Sequence, residues 1–540
     1  MSLSKMIAVR TSRGWVRLCL ATLGVGLLAG CVDQMKEVQT YRDVLDADLP
    51  KPAPLEPGEE LTLERALALA NADNEQLASQ GETYLQSLIA KNRAVAAFLP
   101  TVSFQPNFTI EEAPSGNAAL ASPGGPSVSA AAAAASSGGF VQSGNVLHRF
   151  EAPVVGSMNL SYYSVPNLKS AEMTVVQQKQ LLIDAQATIL LNVAQTYYQI
   201  LISEQQVAVL QHSLALQEAR VRDVEGRYHV NLALALEVAQ TKSEEAATRV
   251  SLTQALSDVR NGRRTLAVLI GASQVDGPLV DEIAVPDQLA PTASYVDQAL
   301  AQRQDLLAAQ AAVRAARYAV DAAIAEYYPS VTLNVAGFLY RESFTDATKW
   351  DAILLANLPI FSAGIIEADV RDAWSRLRQA ALFESYLHRQ INQSVQIAYE
   401  NLVTSSSKLV DLQREVQASS DAYQQAVQLE TNGLAIPLDV LVAQDRLLNS
   451  QLQYSDEAFS RTIFYLDLIR AVGDLKPQTA AQIRQPTRDL ANAPAAPSMS
   501  RTCGKIFFVD VPAGITAGQL CHPAPEWHSA NEDRATCTLQ

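Results

Sequence analysis

The sequence predicts a mainly α-helical chain with a membrane β part, internally duplicated, in which long coiled-coil helical hairpins are joined to four β-strands per subunit that contribute to a shared transmembrane β-barrel. Three observations predict it. Two helix-to-strand junctions and two helical turns recur in matching order, four runs alternate polar with apolar residues, and the stretch from Ile365 to Thr431 holds neither glycine nor proline. An internal repeat of this kind means one structural unit used twice.

The chain opens with a targeting segment. Lys5, Arg10, Arg13 and Arg17 precede an apolar stretch from Leu18 to Leu28 that is too short to persist as a spanning helix, so residues 1–30 read as a signal peptide. Leu28, Ala29, Gly30 and Cys31 resemble the bacterial lipobox, whose cysteine is lipidated and becomes the new N-terminus. Cys31 is therefore expected to be an anchor; the alternative is an ordinary secretory signal with a chance cysteine. In the lipoproteins this resembles, an aspartate directly after the cysteine marks inner-membrane retention. Val32 stands there, which implies outer-membrane sorting. Residues 31–60 are expected to form a lipidated, extended segment.

The first repeat is expected over 61–290 and the second over 291–475. Phe98, Leu99, Pro100, Thr101, Val102, Ser103 and Phe104 match Tyr327, Tyr328, Pro329, Ser330, Val331, Thr332 and Leu333 in pattern. Each proline ends a helical run, and the alternation after it has a period of two. Strands are expected at about 101–110 and 153–163 in the first repeat, separated by an enlarged loop at 111–149, and at about 330–340 and 351–360 in the second. Val102, Phe104, Phe108 and Ile110 share one face of the first strand, with Pro106 as its irregularity; Met158, Leu160 and Tyr162, then Val331, Leu333 and Val335, repeat the pattern. Each run has about the ten residues that a tilted strand needs to cross a bilayer. Four strands cannot close a barrel alone, and an open edge in hydrocarbon costs several kcal/mol per unpaired group, so several copies must share one barrel.

Long helices are expected at 167–271 and 364–472. Ile391, Val395, Ala398, Leu402, Leu409, Leu412, Val416 and Tyr423 fall on a 4,3 spacing with Ser405 and Ser419 in the missing steps, and Val207, Leu210, Leu214, Val221, Val224 and Tyr228 do the same around Gln217. These are coiled-coil seams, which an ordinary helical bundle would also show. The helical turns match too. Leu232, Ala233, Leu234, Ala235, Leu236, Glu237 and Val238 parallel Leu434, Ala435, Ile436, Pro437, Leu438, Asp439 and Val440. Asn432 and Gly433 tolerate a left-handed backbone, Asn231 stands in the place of Gly433, Pro437 suits a first helical position, and Glu237 and Asp439 lie in first turns where a carboxylate meets the positive helix end.

Composition excludes several classes. A net charge of −15 without a basic stripe argues against nucleic acid as a partner. His148, His212, His229, His388, His522 and His528 include no pair at helix-face metal spacing, and no phosphate loop or nucleophile elbow occurs, so no catalytic residue, metal site or cofactor is expected. Residues 476–540 form an alanine- and proline-rich linker and a tail with Cys503, Cys521 and Cys537, in which one disulfide and one odd thiol are possible.

From about Leu61 to Asp474 the chain resembles the TolC family of outer-membrane factors. The two-fold repeat, the paired turns and the segment Leu358, Pro359, Ile360, Phe361, Ser362, Ala363, Gly364, similar to the family's strand-to-helix junction, carry the resemblance. It implies a homotrimer in the Gram-negative outer membrane, each subunit giving four strands to one barrel and helices to a periplasmic α-barrel. It implies that Asn231, Leu232, Ala233, Leu236 and Glu237, with Asn432, Gly433, Leu434, Ala435, Pro437 and Asp439, lie at a periplasmic tip that meets an adaptor (membrane fusion) protein and, through it, an inner-membrane pump. Pro359, Phe361 and Gly364 would form the junction. The expected function is a passive exit duct of a tripartite efflux system for small molecules or drugs. A type I protein-secretion duct and a lipid-anchored periplasmic coiled-coil scaffold are the alternatives. The first turn lacks a glycine and the 111–149 loop is unusually rich in alanine, serine and glycine, which are departures from the family pattern.

Overall fold

The computed structural model describes residues 34–45, 52–53, 55–56, 58–112, 141–143, 146–281, 283–286, 288–341 and 349–475. The signal segment, Cys31, Val32, most of the loop expected at 111–149 and the tail with Cys503, Cys521 and Cys537 lie outside the described residues. A helix α1 (Gln34–Leu45) comes first, where an extended segment is expected from the sequence; Val38, Tyr41 and Leu45 share one helical side and pack against Leu77, Tyr84 and Leu182. The first repeat then runs β1 (Leu61–Thr62), α2 (Leu63–Asp73), α3 (Glu75–Ala96), β2 (Thr101–Phe104), β3 (Asn107–Glu112), β4 (Val141–Ser143), β5 (Val146–Ser161), α4 (Ser164–His229) and α5 (Ala235–Leu269). The second runs β6 (Leu279–Val280), α6 (Thr292–Gln302), α7 (Gln304–Ala325), β7 (Ser330–Arg341), β8 (Trp350–Asn357), α8 (Ile365–Thr431) and α9 (Pro437–Val472).

The two repeats share a helical break that their sequences hide. Between α2 and α3, Asn74 is extended; its Oδ1 accepts from the Leu77 N–H at 3.0 Å and its Nδ2 donates to the Leu269 carbonyl at 2.9 Å. Between α6 and α7 the extended residue is Arg303, which pairs with Asp305 at 2.6 Å and donates to Ser394 Oγ at 3.0 Å. One position is a side-chain cap and the other an ion-paired strut, so no common motif betrays them.

The main sheet is antiparallel in the order β2, β5, β7, β8, with β3 and β4 also on β5. Register sorts its faces. Val102, Gly156, Val335 and Ala352 lie in one row and Phe104, Val154, Gly337 and Trp350 in another of the same face, whereas Thr101, Ser157, Asn334 and Ile353 share the opposite face. Pro106 breaks the ladder without slipping it: Phe104 pairs with Val154 and Phe108 with Phe150, so both phenylalanines stay on the apolar face. The fourth strand explains its untidy pattern. Trp350, Ala352, Leu354 and Ala356 join the apolar face, but Ile353 and Leu355 join the polar one.

Boundaries differ from those expected for physical reasons. Strand β5 begins at Val146 because β3 and β4 both pair along its outer part, so the expected loop loses residues at both ends to strand. Strand β8 stops at Asn357, before Pro359, which has no N–H to give the ladder. Helix α4 starts at Ser164 because Pro166 fits its first turn, where the missing N–H has no helical acceptor. Tyr228, expected on the seam, is exposed, since α4 ends at the next residue. Helix α8 spans 67 residues, about 100 Å at ~1.5 Å per residue.

The largest core lies where both repeats meet, around Tyr197, Tyr198, Leu266, Ile391, Leu402 and Leu468. The Tyr197 hydroxyl accepts from the Val280 N–H at 2.8 Å and lies 2.7 Å from the Leu61 carbonyl, tying the parallel β1–β6 pair to α4. Tyr198 donates to Asp281 at 2.9 Å, and burial, then that carboxylate, pushes its hydroxyl pKa far above the usual range. Helix α1 docks separately. The Tyr41 ring covers Gly81 on α3, where an added Cβ would stand 2.4 Å from it, and Gln186 donates to the Leu45 carbonyl at 3.1 Å.

Gly81→Ala is therefore expected to displace α1 at a cost of roughly 1–3 kcal/mol, the usual price of overpacking. Hydrogen exchange of the α1 amides checks it; unchanged protection would show that the Tyr41 ring yields freely.

Candidate functional site at the helical tip

The two turns are built alike. Asn231 has φ +57° and Gly433 φ +71°, both left-handed. Leu232 N–H donates to the Arg227 carbonyl at 2.8 Å, and Leu434 N–H to the Leu429 carbonyl at 2.8 Å. This is the same helix-ending motif twice, and asparagine is one of the few residues able to replace glycine there. The restarts match as well: Glu237 Oε2 accepts from the Leu234 N–H at 3.4 Å and Asp439 Oδ2 from the Ile436 N–H at 3.3 Å. Both carboxylates thus cap the helices that follow, as their position in the first turn predicts.

The turns lie together. Arg220 Nη2 pairs with Glu430 at 2.8 Å and reaches the Pro437 carbonyl at 3.5 Å, and Arg227 adds a second contact to Glu430 at 3.5 Å. Glu430 is only 8% exposed and Arg220 13%, so the pair is largely withdrawn from water and removing one partner would strand the other. Around it Leu232, Leu234, Leu236, Leu434, Ile436 and Leu438 are exposed, an unusual density of apolar side chains at the end of a helical hairpin.

Behind the ion pair the helix interior turns polar. Helices α4 and α9 run antiparallel past the Arg220–Pro437 contact, so one further step of two turns along each sets Ser213 level with Gln444; Leu210 and Leu448 continue the register in an apolar layer. Gln217 and Gln444 are buried, and among the described residues Ser213 Oγ, Gln217 Oε1 and both amide atoms of Gln444 have no hydrogen-bond partner. Each such group costs about 1–3 kcal/mol when buried unpaired. The apolar cluster here, Leu210, Ala255 and Leu448, is much smaller than the one around Tyr197.

Sequence reading missed Arg220, Glu430 and Gln444. A signal existed for one of them: the 4,3 spacing extended seven residues beyond Tyr423 lands on Glu430, a carboxylate in a seam position. At the other end of α8, Ala363 (φ +52°) and Gly364 (φ +83°) turn the chain from β8 into the helix, and Pro359 precedes them in the same connection. Phe361, with Ile360, projects from this junction at 89% and 94% exposure. The structure sets this junction at the sheet end of α8, far from the turns, so the predicted residues form two groups. Among the described residues no three His, Cys, Asp or Glu side chains could hold a metal ion, and none of the helices is long and apolar enough to cross a membrane.

Comparison with known proteins gives a consistent picture. Residues 295–474 match the family model described as Outer membrane efflux protein. A relative described as "Probable outer membrane lipoprotein SilC", from Salmonella typhimurium, is 25% identical over 298 residues, covering 52% of this chain; the chain spans 62% of that relative's length. The outer membrane efflux protein BepC of Brucella suis is 23% identical over 334 residues, 59% of this chain and 71% of BepC. The crystal structure of the outer membrane protein VceC of Vibrio cholerae superposes with a TM-score of 0.65 at 19% identity over 76% of this chain and 96% of VceC, which fixes the fold. On these grounds residues 295–474 are assigned to the outer membrane efflux protein family, and the chain as a whole is similar in sequence and fold to proteins of that kind.

Proposed function

We propose that the chain is the outer-membrane subunit of a tripartite efflux system: a homotrimer whose shared barrel and helical tunnel give small molecules a passive, water-filled exit from an inner-membrane pump by way of a periplasmic adaptor. The observation that carries this reading is an open sheet, four strands wide, with one apolar face, attached to helices about 100 Å long. Its apolar face suits lipid, its polar face a wet lumen, and its unpaired edges require further copies. The scaffold reading leaves that sheet without a purpose. A protein-secretion duct would share the geometry, and the descriptions of SilC and BepC favour small-solute efflux only by family likeness.

In this reading the exposed leucines of the two turns, with Glu237 and Asp439, meet the adaptor. Cys31 carries the acyl chains, and α1, which starts three residues later, fastens the anchored end to α3. Residues 61–290 and 291–475 act as the two repeats of one tunnel wall, and Pro359, Phe361 and Gly364 mark the membrane boundary. The chain performs no covalent chemistry. Opening is a rearrangement at the tip, where the Arg220–Glu430 pair resists separation and the Ser213–Gln444 layer eases it.

Crosslinking and heat-modifiable gel migration of detergent-extracted protein should give a stable trimer from the outer-membrane fraction; an inner-membrane or soluble monomer would defeat the duct. Cys31→Ala should abolish palmitate labelling, whereas persistent labelling would place the anchor elsewhere. Gln444→Leu removes unpaired buried groups and should stabilise the closed tip by about 1–3 kcal/mol, lowering single-channel open probability, while Glu430→Gln should raise it. Equal open probabilities for both variants and the wild type would exclude this layer from gating. Reversing charge at both Glu237 and Asp439 should weaken adaptor binding; unchanged binding, conductance and ion preference would remove them from the interface and gate.

A further inference from the structure

The polar face of the sheet is not uniform along its length. From the helical end outward it presents Ser161, Ser330, Asn357 and then further uncharged side chains, and among the described residues no charge occurs on it until Asp351, opposite Ala336. Beyond that level charge is concentrated. Glu151 stands opposite Arg341, with Arg341 Nε donating to Glu151 Oε1 at 2.7 Å, and the guanidinium lies over the Phe338 ring, 4.3 Å from its centroid. The two charged side chains are only 15% and 9% exposed.

The backbone explains how these groups meet on one face. A register shift between Ala152 and Pro153 gives β7 one extra residue there, so Phe338 opposes Pro153 and Arg341 opposes Glu151 on the polar side. Without the bulge, Arg341 would point to the apolar face. The neighbouring positions are balanced in the same way: the Phe338 N–H donates to the Lys349 carbonyl, which sets Lys349 two positions outward from Asp351. Glu151 and Asp351 each have a cationic position, Arg341 and Lys349, beside them. Among the described residues the arrangement is confined to the distal end of a face that is otherwise neutral.

We propose that the Glu151–Arg341 pair, held by Phe338, determines the charge preference of the exit: three copies around the barrel make the distal lumen electrically balanced, so that cationic and anionic solutes leave with similar ease. This rests on the shared-barrel reading above. In a lumen wide enough for solutes, wall charges act over roughly a Debye length, about 30 Å at 10 mM salt and 3 Å at 1 M. Paired charges cancel over that distance, and a single unpaired ring does not.

The test is the reversal potential of the purified trimer in planar bilayers under a KCl gradient, with K+ and Cl− as the probes. At about 10 mM mean salt the wild type should be only weakly selective. Arg341→Gln, which removes one positive charge from each wall, should shift the permeability ratio toward K+ by about twofold or more, and Glu151→Gln should shift it toward Cl− by a similar factor. The exchanged pair, Glu151→Arg with Arg341→Glu, should restore the wild-type ratio, and all shifts should vanish near 1 M salt. Asp351→Asn touches neither partner and should shift the ratio toward Cl− even where the pair variants fail to assemble. Unchanged low-salt ratios in trimers of normal conductance would overturn the proposal, as would an Asp351→Asn channel as selective as the wild type. A wild-type protein that forms no trimer and no conductance would instead remove the duct itself.

Discussion

A β-sheet with unpaired edges cannot rest in hydrocarbon, because each free N–H or C=O there costs several kcal/mol and no water is present to satisfy it. The other features of this chain follow from that constraint. Among the described residues, strands β2 and β3 at one side and β8 at the other end the sheet without further partners in the protomer, while its apolar face, with Val102, Phe104, Leu354 and Trp350, is exposed. A soluble protein would cover such a face with a helix, as α/β and α+β folds do. Here the helices leave the sheet end-on, through Pro100, Pro329 and the left-handed pair Ala363 and Gly364. They continue the sheet instead of covering it, which suits a wall that is β in lipid and α in water.

Stability is unevenly distributed along that wall. In the middle, where the short helices α2, α3, α6 and α7 thicken it, Tyr197, Tyr198, Tyr465 and many aliphatic residues form one apolar core, and burial pushes the Tyr465 hydroxyl up to about 12. Toward the turns the long helices bury Ser213, Gln217, Thr241, Thr248 and Gln444 among a smaller number of apolar residues such as Val224 and Val440. Apolar burial supplies most of the drive for packing, so the turn end is held by fewer and more specific contacts, of which Arg220–Glu430 is the most enclosed. An apolar core and a more polar interior can coexist along one continuous helix because the helix backbone satisfies itself at every level.

The duplication gives the tip its paired design without demanding identical residues. Asn231 and Gly433 adopt the same backbone, Glu237 and Asp439 cap the same position, yet Asn74 and Arg303 solve the shared helical break in different ways. Backbone geometry persisted where a hydrogen-bond pattern required it, and side chains diverged where any sufficient strut would serve. The bulge at Ala152 and Pro153 has no counterpart in this symmetry and turns Arg341 toward the polar face.

Local chemistry by itself determined the long helices, the turns and the alternating strands, because helix breakers, left-handed positions and two-residue periodicity are properties of neighbours in the chain. The proline at 106 and the mixed pattern of 351–360 stayed ambiguous, since the register that resolves them belongs to a partner strand. Glu430 was half legible, on the extended seam; Arg220 was not, because its partner lies 210 positions away. The level match of Ser213 with Gln444, the docking of Tyr41 on Gly81 and the meeting of Glu151, Arg341 and Phe338 were decided only by tertiary structure. Each depends on where antiparallel elements stop sliding past one another, and that is set by packing of the whole wall rather than by any stretch of sequence.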